Sequence, residues 1–128
     1  MRRVLALALV PFIALVAACA PDAPPDVYRG AECAYSQQIQ DMWAGTGDEH
    51  WAVDVAIRES HCNPCAFYPG RSDCDADPHT ARGIFQLLGH GDLEHAACPL
   101  HPRPWSVAEC NIQAAFWLYA EGRGKHHW

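Results

Sequence analysis

In Ala56-Ile57-Arg58-Glu59-Ser60-His61-Cys62-Asn63-Pro64 a helical pattern runs straight into an asparagine–proline stop. Read backwards, Trp51, Val55 and Glu59 stand four residues apart with Ala52 and Ala56 beside them, so a carboxylate continues the apolar stripe of a helix. Asp48 is placed to cap the helix, Glu49 suits its first turn, and Asn63-Pro64 forbids continuation beyond about Ser60. Glu59 is therefore expected in the last turn. Desolvation on the apolar face and the negative end of the helix dipole would both raise its pKa, which suits a general acid. A carboxylate held in an ion pair with Arg58 or Arg82 is the structural alternative.

Working outward, the chain upstream opens as a targeting segment. Met1-Arg2-Arg3 is a positive n-region, and Val4 to Ala17 is an apolar run short for a membrane span, so residues 1–18 read as a secretory signal. Val16-Ala17-Ala18-Cys19 resembles a bacterial lipoprotein box, which implies lipidation of Cys19 and a mature chain starting there. Residues 19–31 are a proline-rich tether. Residues 32–128 suffice for one small domain that gains from covalent staples.

That domain holds Cys33, Cys62, Cys65, Cys74, Cys98 and Cys110. An even set in an exported chain reads as three disulfides, with sequence proximity favouring Cys98 with Cys110, and Cys74 with Cys62 or Cys65. A redox pair at Cys62 and Cys65, or a zinc site adding His61 and Cys74, are the competing uses of these thiols. Removing Arg2 and Arg3 leaves seven Lys+Arg against 15 Asp+Glu, a net charge near −8, which argues against nucleic acid as a partner. The eight histidines are scattered without metal-ligand spacing, and His90, His95, His126 and His127 read as solvated. No metal or cofactor is expected.

A first helix is expected over Cys33 to Met42, closed by Gly45 and Gly47. Cys62 to Arg82 is irregular, rich in Pro, Gly and Asp, and too long for an idle connection, so it should be stapled and wall a cleft. Asp73, Asp75 and Asp77 alternate within it without the spacing of a calcium loop. In Thr80-Ala81-Arg82-Gly83-Ile84-Phe85-Gln86-Leu87-Leu88, Gln86 is the lone polar residue of a short apolar run. Asp92 to Cys98 reads as a helical turn. The last helix is expected from Ser106, in a capping-box pattern with Glu109, to about Glu121. Its stripe of Val107, Cys110, Asn111, Ala114, Ala115 and Leu118 includes an amide that must be satisfied internally or point into a cavity. Trp117 and Tyr119 lie off that stripe, placed to line a groove or pack on the first helix.

Three blocks, Ala56-Ile57-Arg58-Glu59-Ser60-x-x-Asn63-Pro64, Gly83-Ile84-Phe85-Gln86-Leu87 and Asn111-Ile112-x-Ala114-Ala115-x-Trp117-Leu118-Tyr119, stand in the order found in lytic transglycosylases. The chain thus resembles the catalytic domain of that lysozyme-like group, similar to goose-type lysozyme. The resemblance implies a mainly α, lysozyme-like single domain with minimal β structure, stapled by disulfides. It implies Glu59 as the catalytic acid, Ser60 as its support, Gln86 contacting substrate or positioning its loop, and Asn111 lining the cleft. The run between the Asn-Pro and Gly-x-x-Gln blocks is longer than is common in that group and carries two cysteines. Leu118 occupies the place expected for a tyrosine, with Tyr119 following.

The implied reaction is cleavage of the bond between N-acetylmuramic acid and N-acetylglucosamine in peptidoglycan without hydrolysis, leaving 1,6-anhydromuramyl ends. The implied partner is the glycan strand, bound by a monomer that touches membrane only through its N-terminal lipid, on the cytoplasmic membrane's outer face or in the periplasm and outer membrane. Hydrolysis as in lysozyme, with Asp73, Asp75 or Asp77 holding a water, is the alternative on the same bond. A non-catalytic peptidoglycan-binding lipoprotein is the alternative from another class.

Overall fold

The computed structural model describes residues 30–128 and is mainly helical, a small domain stapled by three disulfides. The signal segment, Cys19 and the tether up to residue 29 lie outside the described residues, while Gly30–Glu32 already forms a 3-10 turn. Four α-helices follow: α1 (Ser36–Met42), α2 (Glu49–Ser60), α3 (Gly91–Ala97) and α4 (Ala108–Leu118). The only regular strands among the described residues are β1 (Ala66–Phe67) and β2 (Arg71–Ser72), paired antiparallel with Phe67 opposite Arg71. No described helix is long and apolar enough to cross a membrane.

α2 contributes more residues to the buried core than any other helix. Ala52, Val53, Val55, Ala56 and Ile57 are all buried on it, in one cluster with Trp43 at the end of α1, Ile84 and Phe85 of the following loop, and Ile112, Ala114 and Ala115 of α4. Trp43 stacks on Phe85 with ring centroids 5.4 Å apart and meets Phe116 edge-on at 5.1 Å, geometries the ring quadrupole favours. α1 packs on α2, and α3 packs on α4.

Two expected caps are used otherwise. Asp48 is the N-cap residue of α2 but makes no side-chain capping bond. Its carboxylate instead accepts from the Tyr119 hydroxyl at 2.8 Å and from the Lys125 ammonium at 2.6 Å. Ser106 does not form a capping box with Glu109: its hydroxyl donates to the Arg103 carbonyl, a 3-10 turn over Pro104–Ser106 precedes the helix, and Val107 is the N-cap. The last helix also stops at Leu118, short of Glu121, and a wider turn over Tyr119–Arg123 follows, with Gly122 at φ 87°. α1 starts three residues later than Cys33: the Cys33 carbonyl accepts from the Ser36 N–H in a turn, and Tyr35 is the N-cap whose carbonyl takes the first helical bond, from Ile39.

The end of α2 is set before Pro64 is reached. His61 and Cys62 both adopt left-handed backbone (φ 54° and 57°), which reverses the chain and lets the Cys62 N–H reach the Ala56 carbonyl. Consecutive left-handed non-glycine residues are unfavourable by about 1 kcal/mol each, and the Cys33–Cys62 disulfide locks this reversal to the N-terminal segment. Cys65–Cys74 closes the irregular loop and Cys98–Cys110 joins the end of α3 to α4. Cys62 and Cys65 are thus committed to different bridges, which leaves no dithiol or thiolate pair there for redox or zinc chemistry. Three disulfides fit an oxidising compartment.

Candidate functional site

Glu59 occupies the last turn of α2, as the spacing requires, but it is not buried in the apolar stripe. Its side chain is 29 % exposed, and Oε1 accepts from Arg58 Nε at 3.2 Å and Nη2 at 3.0 Å. The sequence-based expectation of a desolvated carboxylate is corrected accordingly: the last turn lies at the rim of the core, and Arg58 supplies the counter-charge. Arg82 does not take that role, because its guanidinium is bonded to Glu94 Oε2 at 2.9 Å and to the Pro78 carbonyl at 2.7 Å. Glu59 Oε2 makes no hydrogen bond with the described residues.

Two concavities meet at Glu59. The larger, about 640 Å³, is walled by Arg58, His61 and Asn63 on one side and by Phe67, Tyr68, Arg71 and Ser72 of the β-hairpin on the other. The smaller, about 260 Å³, is formed by Leu87, Leu88, His90, Leu118, His127 and Trp128. Glu59 and Gln86 line both, so the two form one groove running past the carboxylate. Among the described residues Glu59 is the only Asp or Glu lining either half.

The Cys62–Arg82 stretch does wall the cleft. Its hairpin is held at several points: Asn63 Nδ2 donates to Ser72 Oγ at 2.8 Å, the Tyr68 N–H to the Ala81 carbonyl at 2.8 Å, the Thr80 hydroxyl to the Tyr68 carbonyl at 2.9 Å, and the Asp73 N–H to the Cys65 carbonyl at 3.1 Å. Asp73, Asp75 and Asp77 lie outside the groove. Asp73 accepts from the Asp75 N–H in a local turn, and Asp75 stands 3.6 Å from Arg103.

Gln86 sits in left-handed backbone (φ 48°), and its amide Nε2 donates to the Gly83 carbonyl at 2.8 Å and the Ala66 carbonyl at 3.1 Å. It therefore bridges the apolar loop to β1 while presenting its edge to the groove. Strained non-glycine backbone at His61 and Gln86, both groove residues, is a pattern found at ligand-handling sites. Ser60 is buried and donates to the Ile84 carbonyl at 2.7 Å, which anchors the same loop to the end of α2.

Asn111 and Tyr119 are corrected as cleft residues. Asn111 is completely buried. Its Oδ1 accepts from the Phe85 N–H at 2.9 Å, and its Nδ2 lies 3.3 Å from Glu94 Oε1 and 3.4 Å from the Arg82 carbonyl. It braces the Gly83–Leu87 loop from behind, and the loop can approach because Gly83 has no Cβ, which would fall 2.3 Å from Asn111 Nδ2. Tyr119 is bonded at Asp48, the opposite end of α2 from Glu59, eleven residues or roughly 16 Å along the axis.

Three contributors escaped the sequence reading. Glu94 is 1 % exposed and forms the ionic centre of the brace; burial pushes its carboxyl above the ordinary 4.5, against the opposing pull of Arg82. Arg71 lines the cleft from the hairpin, and the unread signal for it was the Pro69-Gly70 pair, whose residue types favour a tight turn. Trp128 closes the smaller half, its indole N–H donating to the Phe85 carbonyl at 3.1 Å and its ring packed edge-on to Trp51 and Phe85. His127 also lines that half, so it is not a purely solvated histidine.

Comparison with protein-family models, with curated proteins and with solved structures gives no match to this chain. The functional reading therefore rests on the groove.

Proposed function

We propose that this protein is an exported lytic transglycosylase of lysozyme-like fold, cleaving the β-1,4 bond from N-acetylmuramic acid to N-acetylglucosamine in bacterial peptidoglycan. The observation that carries this reading is the single carboxylate, Glu59, at the junction of two halves of a continuous groove. A polymer threaded through both halves presents an internal bond at that junction. Hydrolysis of such a bond ordinarily uses two carboxyl groups, about 5 Å apart for a covalent intermediate or farther to hold a water. Intramolecular transglycosylation works with one.

In this mechanism protonated Glu59 gives its proton to the glycosidic oxygen as that bond breaks, and the sugar's own 2-acetamido group stabilises the cationic C1. The Glu59 carboxylate then takes the proton from the muramyl 6-hydroxyl as its oxygen closes onto C1. Water is not consumed, and the product is a 1,6-anhydromuramyl end. Oε2, outside the Arg58 pair, is the oxygen suited to both transfers, while Gln86 and Ser60 hold the loop opposite. The N-terminal segment fits delivery outside the cytoplasm, with Cys19 as lipid attachment.

Digestion of purified peptidoglycan by the mature protein and by Glu59→Gln, followed by mass analysis of released fragments, tests this. Fragments lighter by one water than hydrolysis products, lost in the variant, are the expected result. Reducing ends would instead point to a lysozyme. Binding without any release would leave a non-catalytic wall-binding protein.

A further inference from the structure

Among the described side chains, four of the five lysines and arginines are each matched to a carboxylate: Arg58 to Glu59, Arg82 to Glu94, Arg103 to Asp75 and Lys125 to Asp48. Arg71 is the exception, and it lines the larger half of the groove. In a chain carrying 15 acidic residues against nine basic ones, an arginine without an acidic neighbour in a cleft is an uncompensated positive charge at the place where ligand binds.

The hairpin under Arg71 is also unusually well fixed. Arg71 pairs with Phe67 across a three-residue turn; Ser72, its neighbour, is bonded to Asn63; Tyr68 is bonded on both its N–H and carbonyl sides; and Cys65–Cys74 closes the base. A cation presented from such a base loses little freedom on binding, which is the condition under which an exposed charge contributes to recognition. Guanidinium matches carboxylate as a fork, two N–H groups to two oxygens.

We infer that Arg71 binds a carboxylate carried by the peptide stems of the substrate strand, so that the larger half of the groove selects strands whose stem carboxylates are free over strands in which they are blocked. This inference rests on the peptidoglycan reading and deepens it. The glycan backbone between the reacting sugars is neutral, whereas the stems attached to the muramyl lactyl groups carry free carboxylates. A strand lying past Glu59 with a muramyl residue in the larger half brings a stem alongside the hairpin wall. Arg58, already engaged by Glu59, is not free to take it.

The experiment uses two substrates: intact sacculi, and sacculi whose stem carboxylates have been converted chemically to amides. Wild type is expected to cleave intact material about tenfold faster than amidated material, the discrimination of one hydrogen-bonded charge contact. Arg71→Ala is expected to bring the two rates close together, Arg71→Lys to keep part of the preference, and Arg103→Ala, a cation outside the groove, to keep all of it. Equal rates on the two substrates by wild type, or an unaltered preference in Arg71→Ala, overturn the inference.

If wild type cleaves nothing, the enzymatic reading fails separately, and co-sedimentation of Glu59→Gln with the same two sacculi decides. Weaker binding to amidated material, abolished as a difference by adding Arg71→Ala, supports the carboxylate contact. Equal binding to both sinks it.

Discussion

The Ser60 hydroxyl donates to the Ile84 carbonyl at 2.7 Å, and this one bond couples the end of the helix carrying Glu59 to the loop carrying Gln86. Both partners are buried. Ser60→Ala leaves that carbonyl without its donor, at a cost of about 1–3 kcal/mol. A lower melting temperature by calorimetry is expected, together with a fall of about tenfold in peptidoglycan release measured well below the melt, because the two sides of the groove lose their register.

Gly83 and Gly45 make a matched pair. Both have left-handed backbone, φ 76° and 82°, but a Cβ at Gly83 meets Asn111 Nδ2 at 2.3 Å and the Trp105 carbonyl at 2.7 Å, whereas one at Gly45 meets nothing within 4 Å. Gly45→Ala should cost about 1 kcal/mol of backbone strain, and Gly83→Ala about 3 kcal/mol or more. Denaturant melts of the two variants check this; similar losses would contradict the close approach of loop and α4.

Asn111→Ala separates bracing from substrate contact. It removes the acceptor for the Phe85 N–H and a donor to buried Glu94, so a stability loss of about 2–3 kcal/mol is expected. Because Asn111 lines neither half of the groove, binding of Glu59→Gln protein to peptidoglycan should be almost unaffected by adding Asn111→Ala at low temperature. A large loss of binding there, with folding intact, would return Asn111 to the cleft.

The Asp48 carboxyl is held below its ordinary value of 3.8, first by the hydrogen bond from Lys125 and then by that from Tyr119. A carboxyl whose pKa is lower folded than unfolded binds fewer protons when folded. Its stabilising effect is therefore complete above the unfolded value and is lost as pH falls through the folded one. Thermal melts of wild type and Asp48→Asn from about pH 6 down to about pH 2 should show the variant less stable at the upper end and the difference shrinking toward the lower. A constant difference across the range would exclude this linkage.

The bridges rank by the chain they enclose. Cys33–Cys62 spans 29 residues and Cys65–Cys74 only 9, which corresponds to roughly 3.6 and 2.6 kcal/mol on the loop-entropy account. Replacing Cys33 and Cys62 together by serine is expected to lower the melting temperature more. The Cys65/Cys74 double replacement should instead weigh on groove function, since that bridge closes the hairpin presenting Arg71.

Local physics was readable wherever a feature depended on neighbours in the chain. The spacing of Trp51, Val55 and Glu59 placed the carboxylate in the last turn of α2, Cys98 and Cys110 were close enough to pair, and the Pro, Gly and Asp content of residues 62–82 marked a stapled wall. The oddness of Asn111 on an apolar stripe was also legible, but its two solutions, satisfied inside or facing a cavity, have the same sequence pattern. Only the arrival of Gly83–Leu87 and Glu94 behind it decides for the first.

Helix faces, chain stops, the disulfide-stapled character of the domain and the position of Glu59 on its helix were legible from the chain alone, because these follow from short-range periodicity, backbone restriction and composition. Which cation meets which carboxylate, why Asp48 serves Tyr119 and Lys125 instead of a helix end, and why Arg71 is left over for a ligand were decided only by the tertiary structure. Charges pair with whatever packing brings near: apart from the adjacent Arg58 and Glu59, the partners come from well-separated segments, Arg82 and Glu94 being 12 residues apart and Tyr119 and Asp48 71.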